Sequence, residues 1–253
     1  KHSGKSVFKN LPTPFEATRD MRIGTAVHCI VLGPRPGAKA LAVYEGKVRS
    51  GKAWDSFELE HAEDEILLKS EWELAERMAA SVKRNPIAMA RLAGARTEVP
   101  LRWEESGIPC STHGVDIIPV NEDLGDLKTT VTVQPELFQQ QSFRMHYAHS
   151  LVWYRRGARA NGINVRRLFI LGVERKAPHE VVELDLSSEL EEMAERGVDL
   201  WLERLRACML TCPEPKSVFD WPGYAQAPVL WEPPKWATDE DEEEEFDEED
   251  AAQ

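Results

Sequence analysis

The stretch Gly114-Val115-Asp116-Ile117-Ile118-Pro119-Val120-Asn121-Glu122-Asp123-Leu124-Gly125-Asp126-Leu127-Lys128-Thr129 constrains this chain more than any other. It reads as a β-hairpin. Val115, Ile117 and Ile118 form one strand, and Leu124 to Thr129 form the next. Pro119 to Asp123 makes a loop of about five residues rich in turn formers. With the turn centred on Asn121, Asp116 lies directly across from Asp126. Cross-strand Cβ atoms sit roughly 4.5–5.5 Å apart, and like charges placed there repel. Two facing carboxylates therefore need a cation between them or an altered pKa. Alternation puts Lys128 on the face of Asp126, opposite Gly114, where open space is expected. Val115, Ile117, Leu127 and Thr129 point the other way, into a core. Two acids and a lysine over an aliphatic layer suit a metal-dependent phosphodiester-cleaving site. The plainer alternative is an acidic hairpin that only meets solvent.

The 253 residues suit one sizeable domain with extensions, and 42% hydrophobic content is enough for its core. The net charge of −13 is misleading, because Asp239–Asp250 holds 11 acidic residues and no basic one. Without that run the body is close to neutral, so a DNA-binding face is compatible with it. The run itself reads as a disordered, self-repelling tail. No secretory segment is evident and no apolar run approaches the roughly 20 residues of a membrane span, so a soluble, cytoplasmic protein is expected. Of the four cysteines, Cys29, Cys110, Cys208 and Cys212, only the last two are close in sequence. That spacing argues against a disulfide framework, and an iron–sulfur site would show a tighter cluster.

Taken in order, residues 1–18 are polar, with Val7, Phe8 and Leu11 expected to pin them to the body. A helix is predicted over Arg19 to Leu32, ended by Gly33-Pro34, with Gly24 and His28 on one face. Ala40 to Tyr44 suits a strand, and Arg49 to Lys52 a basic loop that meets phosphate or water. Ser70 and Glu73 fit a capping box for a helix over Glu71 to Arg84, with Trp72, Ala75, Met78, Ala79 and Val82 inward. Pro86 opens a short helix to Leu92. Arg96 to Trp103 alternates as a strand with Glu98 on its polar face, and Pro109 marks a bulge in the strand after it.

Pro135 opens one long helix to about Arg156, with Gln139, Gln140, Gln141, Arg144, Tyr147 and His149 as its polar face. Arg155, Arg156, Arg159, Arg166 and Arg167 concentrate positive charge beside Trp153 and Tyr154, where phosphate contact is expected. Leu168 to Val173 and Val181 to Leu184 form a strand pair, and Ser188 caps a last helix to about Cys208. The division expected is a domain over residues 1–220, then a Pro/Trp-rich extension and acidic tail over 221–253.

This order of signals resembles the PD-(D/E)xK nuclease superfamily, over roughly residues 5 to 210. The wording Arg22-Ile23-Gly24-Thr25-Ala26-Val27-His28-Cys29-Ile30-Val31-Leu32-Gly33-Pro34 is similar to the opening motif of RecE-type exonucleases. The resemblance implies an α/β (α+β) restriction-endonuclease-like core, a central mixed sheet flanked by helices. It implies that Asp116, Asp126 and the carbonyl of Leu127, with Glu98 and His28, hold Mg²⁺ or Mn²⁺, and that Lys128 is the catalytic lysine. The family's usual Gln-x-x-x-Tyr is matched best by His149-x-x-x-Trp153. These two, with Arg144, Arg155, Arg156 and Arg159, form the implied DNA-binding set. The implied activity is digestion of linear double-stranded DNA from the 5′ end. A single-strand annealing protein is the implied partner, and a homo-oligomeric ring the implied assembly. The alternatives are another nuclease of the superfamily, such as a Cas4-like enzyme with an iron–sulfur cluster, and a non-catalytic recombination module.

Overall fold

The computed structural model describes residues 17–212 together with Glu214 and Asp220. The expectations for the first residues, the domain boundary near 220, the Pro/Trp-rich extension and the acidic tail lie outside the described residues. Pro14–Ala207 forms one compact unit, and the site described below lies within it.

Helix α1 spans Arg19–Leu32, with the Thr18 hydroxyl accepting from the Met21 N–H and Gly33 closing it at φ 92°. Only glycine takes that conformation without strain, which is why the helix stops there. Strands β1 (Leu41–Tyr44) and β2 (Glu65–Leu68) pair in parallel around helix α2 (Lys52–Glu60), which the sequence did not announce. Helix α3 (Lys69–Arg84) starts two residues before Glu71, the expected first residue. The Glu71 carboxylate, fully buried, accepts from the Leu68 N–H at 2.9 Å, so Ser70 caps nothing. Arg49 holds the same carboxylate at 2.7 and 3.1 Å, so the basic loop serves a buried acid rather than a phosphate. Helix α4 (Pro86–Leu92) follows as expected, with the Asn85 side chain capping Ala88.

The main sheet has the order β3 (Arg96–Glu105), β4 (Ile108–Ile118), β5 (Asp123–Thr130), β6 (Arg167–Glu174), β7 (Val181–Asp185). All neighbours are antiparallel except β5 and β6, which run parallel. A parallel pair needs a long crossover. Here it contains helices α5 (Pro135–Arg144) and α6 (Tyr147–Ala160). The single long helix expected is therefore two, because His146 adopts the left-handed conformation, φ 57° and ψ 33°. Helix α7 (Ser188–Thr211) follows the sheet.

Both faces of the sheet are covered. On one, Ile117, Leu127, Phe169, Leu171 and Val173 pack with Ile23 and Val27 of α1 and Met78 and Val82 of α3. On the other, Ile118, Leu124, Leu168 and Ile170 pack with Phe138 of α5 and Leu151 and Val152 of α6. Val115, expected with Ile117, joins this second layer. The bulge also moves: Pro109 pairs regularly with Glu104, and the register shifts between Val99 and Leu101 instead.

Candidate active site

The hairpin register is the one the turn implied. Ile117 pairs with Gly125, which sets Asp116 opposite Asp126, 3% and 1% exposed respectively. Beyond that pair the two strands stop bonding through their backbones. The Leu127 N–H donates to Asp116 Oδ2 at 2.8 Å, taking a carboxylate in place of a strand carbonyl. A carboxylate in the ladder opens the strands there, and side chains from outside the hairpin converge on Asp116.

His28 comes from α1. Its Nδ1 lies 3.5 Å from Asp116 Oδ2 and 3.6 Å from Glu98 Oε1, too long for hydrogen bonds. Gly24, one turn earlier, lets α1 come this close: a Cβ there would stand 3.3 Å from the Thr129 hydroxyl of β5. Glu98 is 3% exposed and held at φ 49°, a left-handed conformation uncommon for a residue with a side chain. It stands just before the register shift, where two β4 residues, His113 and Gly114, face the single β3 residue Pro100. The space expected opposite Lys128 is filled: a Cβ on Gly114 would meet Glu98 Oε2 at 2.6 Å. Arg35, unanticipated from the sequence, donates from Nε to that oxygen at 2.8 Å.

His28, Glu98 and Asp116 are the three residues that converge as a metal-ligating group among the described residues, each offering one ligand atom within 4.8 Å of the others. The cysteines form no such group among the described residues. The donor set fits a hard divalent cation. Two carboxylate oxygens and an imidazole nitrogen surround one point, and the histidine nitrogen has no hydrogen-bond partner. Adjacent ligands of an octahedral ion with bonds of about 2.0–2.1 Å stand about 3 Å apart, and the histidine nitrogen lies 3.5 and 3.6 Å from the two carboxylate oxygens. Asp126 lies beside this group, its carboxylate paired with Lys128, and Leu127 lines the same cleft.

The electrostatics follow from burial and crowding. Burial and the Asp126 charge push the Asp116 carboxyl up to about 7. Asp126 goes the other way: burial opposes its ionisation, but Lys128 more than offsets that and holds it below the carboxylate range. For Lys128 burial also disfavours charge, and the two aspartates overcome it, so its ammonium is held more firmly than in a free lysine. Glu98 likewise stays ionised against its burial because His28 and Arg35 face it. His28 is raised, burial being outweighed by Asp116 and Glu98.

The helix after the hairpin corrects the reading of its motif by one residue. His149 and Trp153 point away from the acids. His149 stacks on Trp201 of α7, centroids 4.6 Å apart, and Trp153 packs on Trp103 while donating to the Ser111 carbonyl at 3.2 Å. Tyr154 is the residue that feels the site: burial, then the Asp126 charge, push its phenol up to about 12. Ser150-x-x-x-Tyr154 has the spacing of the motif, with serine where the motif has glutamine. The frame could have been found from Tyr154 alone, had the aromatic next to it not competed. Tyr147, one more turn back, places its ring 5.2 Å from Lys128 Nζ.

The arginine cluster is also corrected. Arg155 pairs with Glu191 and Glu195, and Arg156 with Glu105, Glu195 and Asp199. Arg159 donates to the Val165 carbonyl, and Arg167 pairs with Asp185. Arg155 and Arg156 clamp α7 onto α6, each guanidinium being held by carboxylates. Their carboxylate partners lie 36 to 51 residues away, too far to be seen from local sequence. Arg144 lies on the other side of α5, lining a separate cavity of about 660 Å³ that contains none of the acids. Glu98, His28 and Lys128 instead line a cleft of about 600 Å³, which Arg35, Lys39 and Arg175 also line, Arg35 paired with Glu98 and Arg175 with Asp20.

A mixed sheet carrying this acid–lysine hairpin, with a histidine helix before it and a tyrosine helix after it, defines the PD-(D/E)xK nuclease-like class. The chain belongs to the family described as a PDDEXK-like domain of unknown function (DUF3799), which it matches over residues 5–218. It is also similar in fold to a crystal structure from Eubacterium rectale described as a "Putative exonuclease". The TM-score is 0.58 at 15% identity, covering 90% of this chain and 81% of that one. No curated protein matches the chain. Among the described residues, no helix is long and apolar enough to cross a membrane.

Proposed function

We propose that this protein is a divalent-metal-dependent exonuclease that hydrolyses linear double-stranded DNA, Mg²⁺ or Mn²⁺ being the metal. One observation carries the reading: His28, Glu98 and Asp116 converge as a ligand group, His28 and Glu98 lining a cleft together with Lys128, which pairs with Asp126. The metal, when bound, supplies Lewis-acid polarisation of the scissile phosphate and a lowered pKa for its water. The chain's own residues do the rest. Asp116 and Asp126 would hold the cation with oxygen ligands, Glu98 and His28 would complete the set, and the Leu127 N–H fixes Asp116 in place. Arg35 keeps Glu98 aimed inward and ionised. Lys128 reaches the cleft as an ammonium, suited to donate to a phosphate oxygen as negative charge develops.

The coarser reading, a nuclease, is supported by the family and by the fold it shares with the Eubacterium rectale protein. The finer terms rest on the resemblance to RecE-type exonucleases: 5′ to 3′ direction, a role in recombination with a single-strand annealing protein, and a ring of identical subunits. The test is end-labelled linear duplex against closed circular DNA, with Mg²⁺ and with EDTA. Labelled nucleotide is expected from the linear form only, and only with metal. Lys128→Ala is expected to lower the rate at least about 100-fold, the usual scale for losing a charge-stabilising donor, with the fold kept. Cleavage of circular DNA would replace the exonuclease by an endonuclease. Duplex binding without cleavage under any divalent metal would leave a non-catalytic module.

A further inference from the structure

Between α5 and α6 the chain makes a turn that neither the hairpin nor the acids explain. His146 sits in the left-handed region, where a residue with a side chain is strained by roughly 1–2 kcal/mol. Strain of this kind persists only where the surroundings impose it. Here they do. The His146 ring stands edge-on to Trp201, centroids 5.6 Å apart, and edge-on to His149 at 5.0 Å. His149 in turn stacks on Trp201 and fills the space above Gly197, where a Cβ would meet its Nε2 at 2.4 Å. Two histidines and a tryptophan thus fix where the helix breaks.

The break decides where the next residue goes. Tyr147 becomes the first residue of α6 rather than a mid-helix residue, and its ring comes to lie beside Lys128 Nζ at 5.2 Å, within cation–π range. Lys128 has Asp126 on one side and this ring on another. A lysine carries four rotatable carbons, and a carboxylate alone fixes only the end of that chain. Tyr147 also lines the cleft with Lys128, so the ring does its work where substrate enters.

We propose that Tyr147 is the positioning residue for Lys128: its ring face holds the ammonium at the cleft, and the His146–His149–Trp201 cluster exists to aim it. The inference rests on the nuclease reading for its effect on rate, but not for its geometry. The geometry has its own test. A ring lying over the lysine shifts the Lys128 ε-methylene protons upfield in the proton NMR spectrum. That shift is expected in the unaltered metal-free protein and in Tyr147→Phe, and it should vanish in Tyr147→Leu. An ordinary lysine resonance in the unaltered protein overturns the proposal, whether or not the protein cuts DNA. The kinetic arm asks for a split. Tyr147→Leu should lower kcat by about 2- to 30-fold, the span of a cation–π contact, with KM for linear duplex little changed, and Tyr147→Phe should restore kcat. Equal loss in Phe and Leu would assign the role to the hydroxyl and overturn the ring argument. A change in KM alone would make Tyr147 a substrate contact instead. If the unaltered protein releases no nucleotide with any divalent metal, the nuclease reading fails and the NMR arm still decides this one.

Discussion

At the scale of single residues the protein concentrates its cost at Asp116. Its carboxyl is raised to about 7 by burial and by Asp126. A carboxyl whose folded pKa exceeds its unfolded value, roughly 3.9, binds its proton more tightly when folded. It therefore contributes stability at pH below 4, and that contribution is lost as pH rises through about 7. The loss has an upper bound of roughly 4 kcal/mol. In EDTA the thermal midpoint is expected to fall between pH 5 and pH 8 and to fall less in Asp116→Asn. Mg²⁺ or Mn²⁺ should reverse the fall, raising the midpoint more at pH 8 than at pH 5, and should do little for the asparagine variant. Differential scanning calorimetry with and without metal reads all four comparisons. A pH-independent midpoint in EDTA would remove Asp116 as the group under strain.

At the scale of elements the hairpin is packed without spare room. Gly125 faces Phe169 across the β5–β6 register, and a Cβ on it would come within 2.1–2.7 Å of that ring. Phe169 is fully buried, so the ring cannot swing out. Gly125→Ala should therefore cost about 1–3 kcal/mol, the range for overpacking a core, measured as a lowered urea midpoint with unchanged m-value. Much of this level was readable beforehand. The hairpin register followed from turn chemistry, the α1 limits from its helical period and Gly33-Pro34, and the α3 inner face from its period. Two features were not. The register shift lies beside Glu98, which Arg35 bonds and His28 of α1 approaches, and the break at His146 lies against rings brought in by α7. Neither partner is close in sequence, so no local pattern announces either feature.

At the scale of the whole described unit, the arginines that looked most like a nucleic-acid surface hold the molecule together. Arg155 and Arg156 join α6 to α7 through Glu191, Glu195 and Asp199, with Glu105 of β3 as a further partner. The Arg155 side chain is only 7% exposed, so removing it strands carboxylates that were partly taken out of water. Arg155→Ala is expected to destabilise by about 3 kcal/mol, the lower end for a broken buried pair. The slope of log affinity for DNA against log salt should not change, since no phosphate contact is lost. A shallower slope, by about one contact, would return Arg155 to the DNA-binding surface. The cations lining the acid cleft, Arg35, Lys39 and Arg175, come from the loop after α1 and the β6–β7 turn, and two of them are themselves paired, Arg35 with Glu98 and Arg175 with Asp20. Charge density along the sequence overstated the free charge of that group, because it counts arginines without their partners.

The sequence by itself determined what depends on neighbours a few residues apart. That covers the facing of Asp116 and Asp126, the face shared by Lys128, the helix that carries His28, and the class of protein these define. Turn geometry and strand alternation act over such short spans, so they leave a pattern in the order of residues. The tertiary structure alone decided which groups meet the acids from outside the hairpin. Arg35 at Glu98, Tyr154 behind the aspartates and Tyr147 over Lys128 are set by how helices dock on the sheet. So is the assignment of Arg155 and Arg156 to a clamp. Docking is fixed by burial of whole faces and by partners dozens of residues away. The hairpin could therefore be read as a site before the fold was known, while the residues that aim its lysine and its glutamate could not.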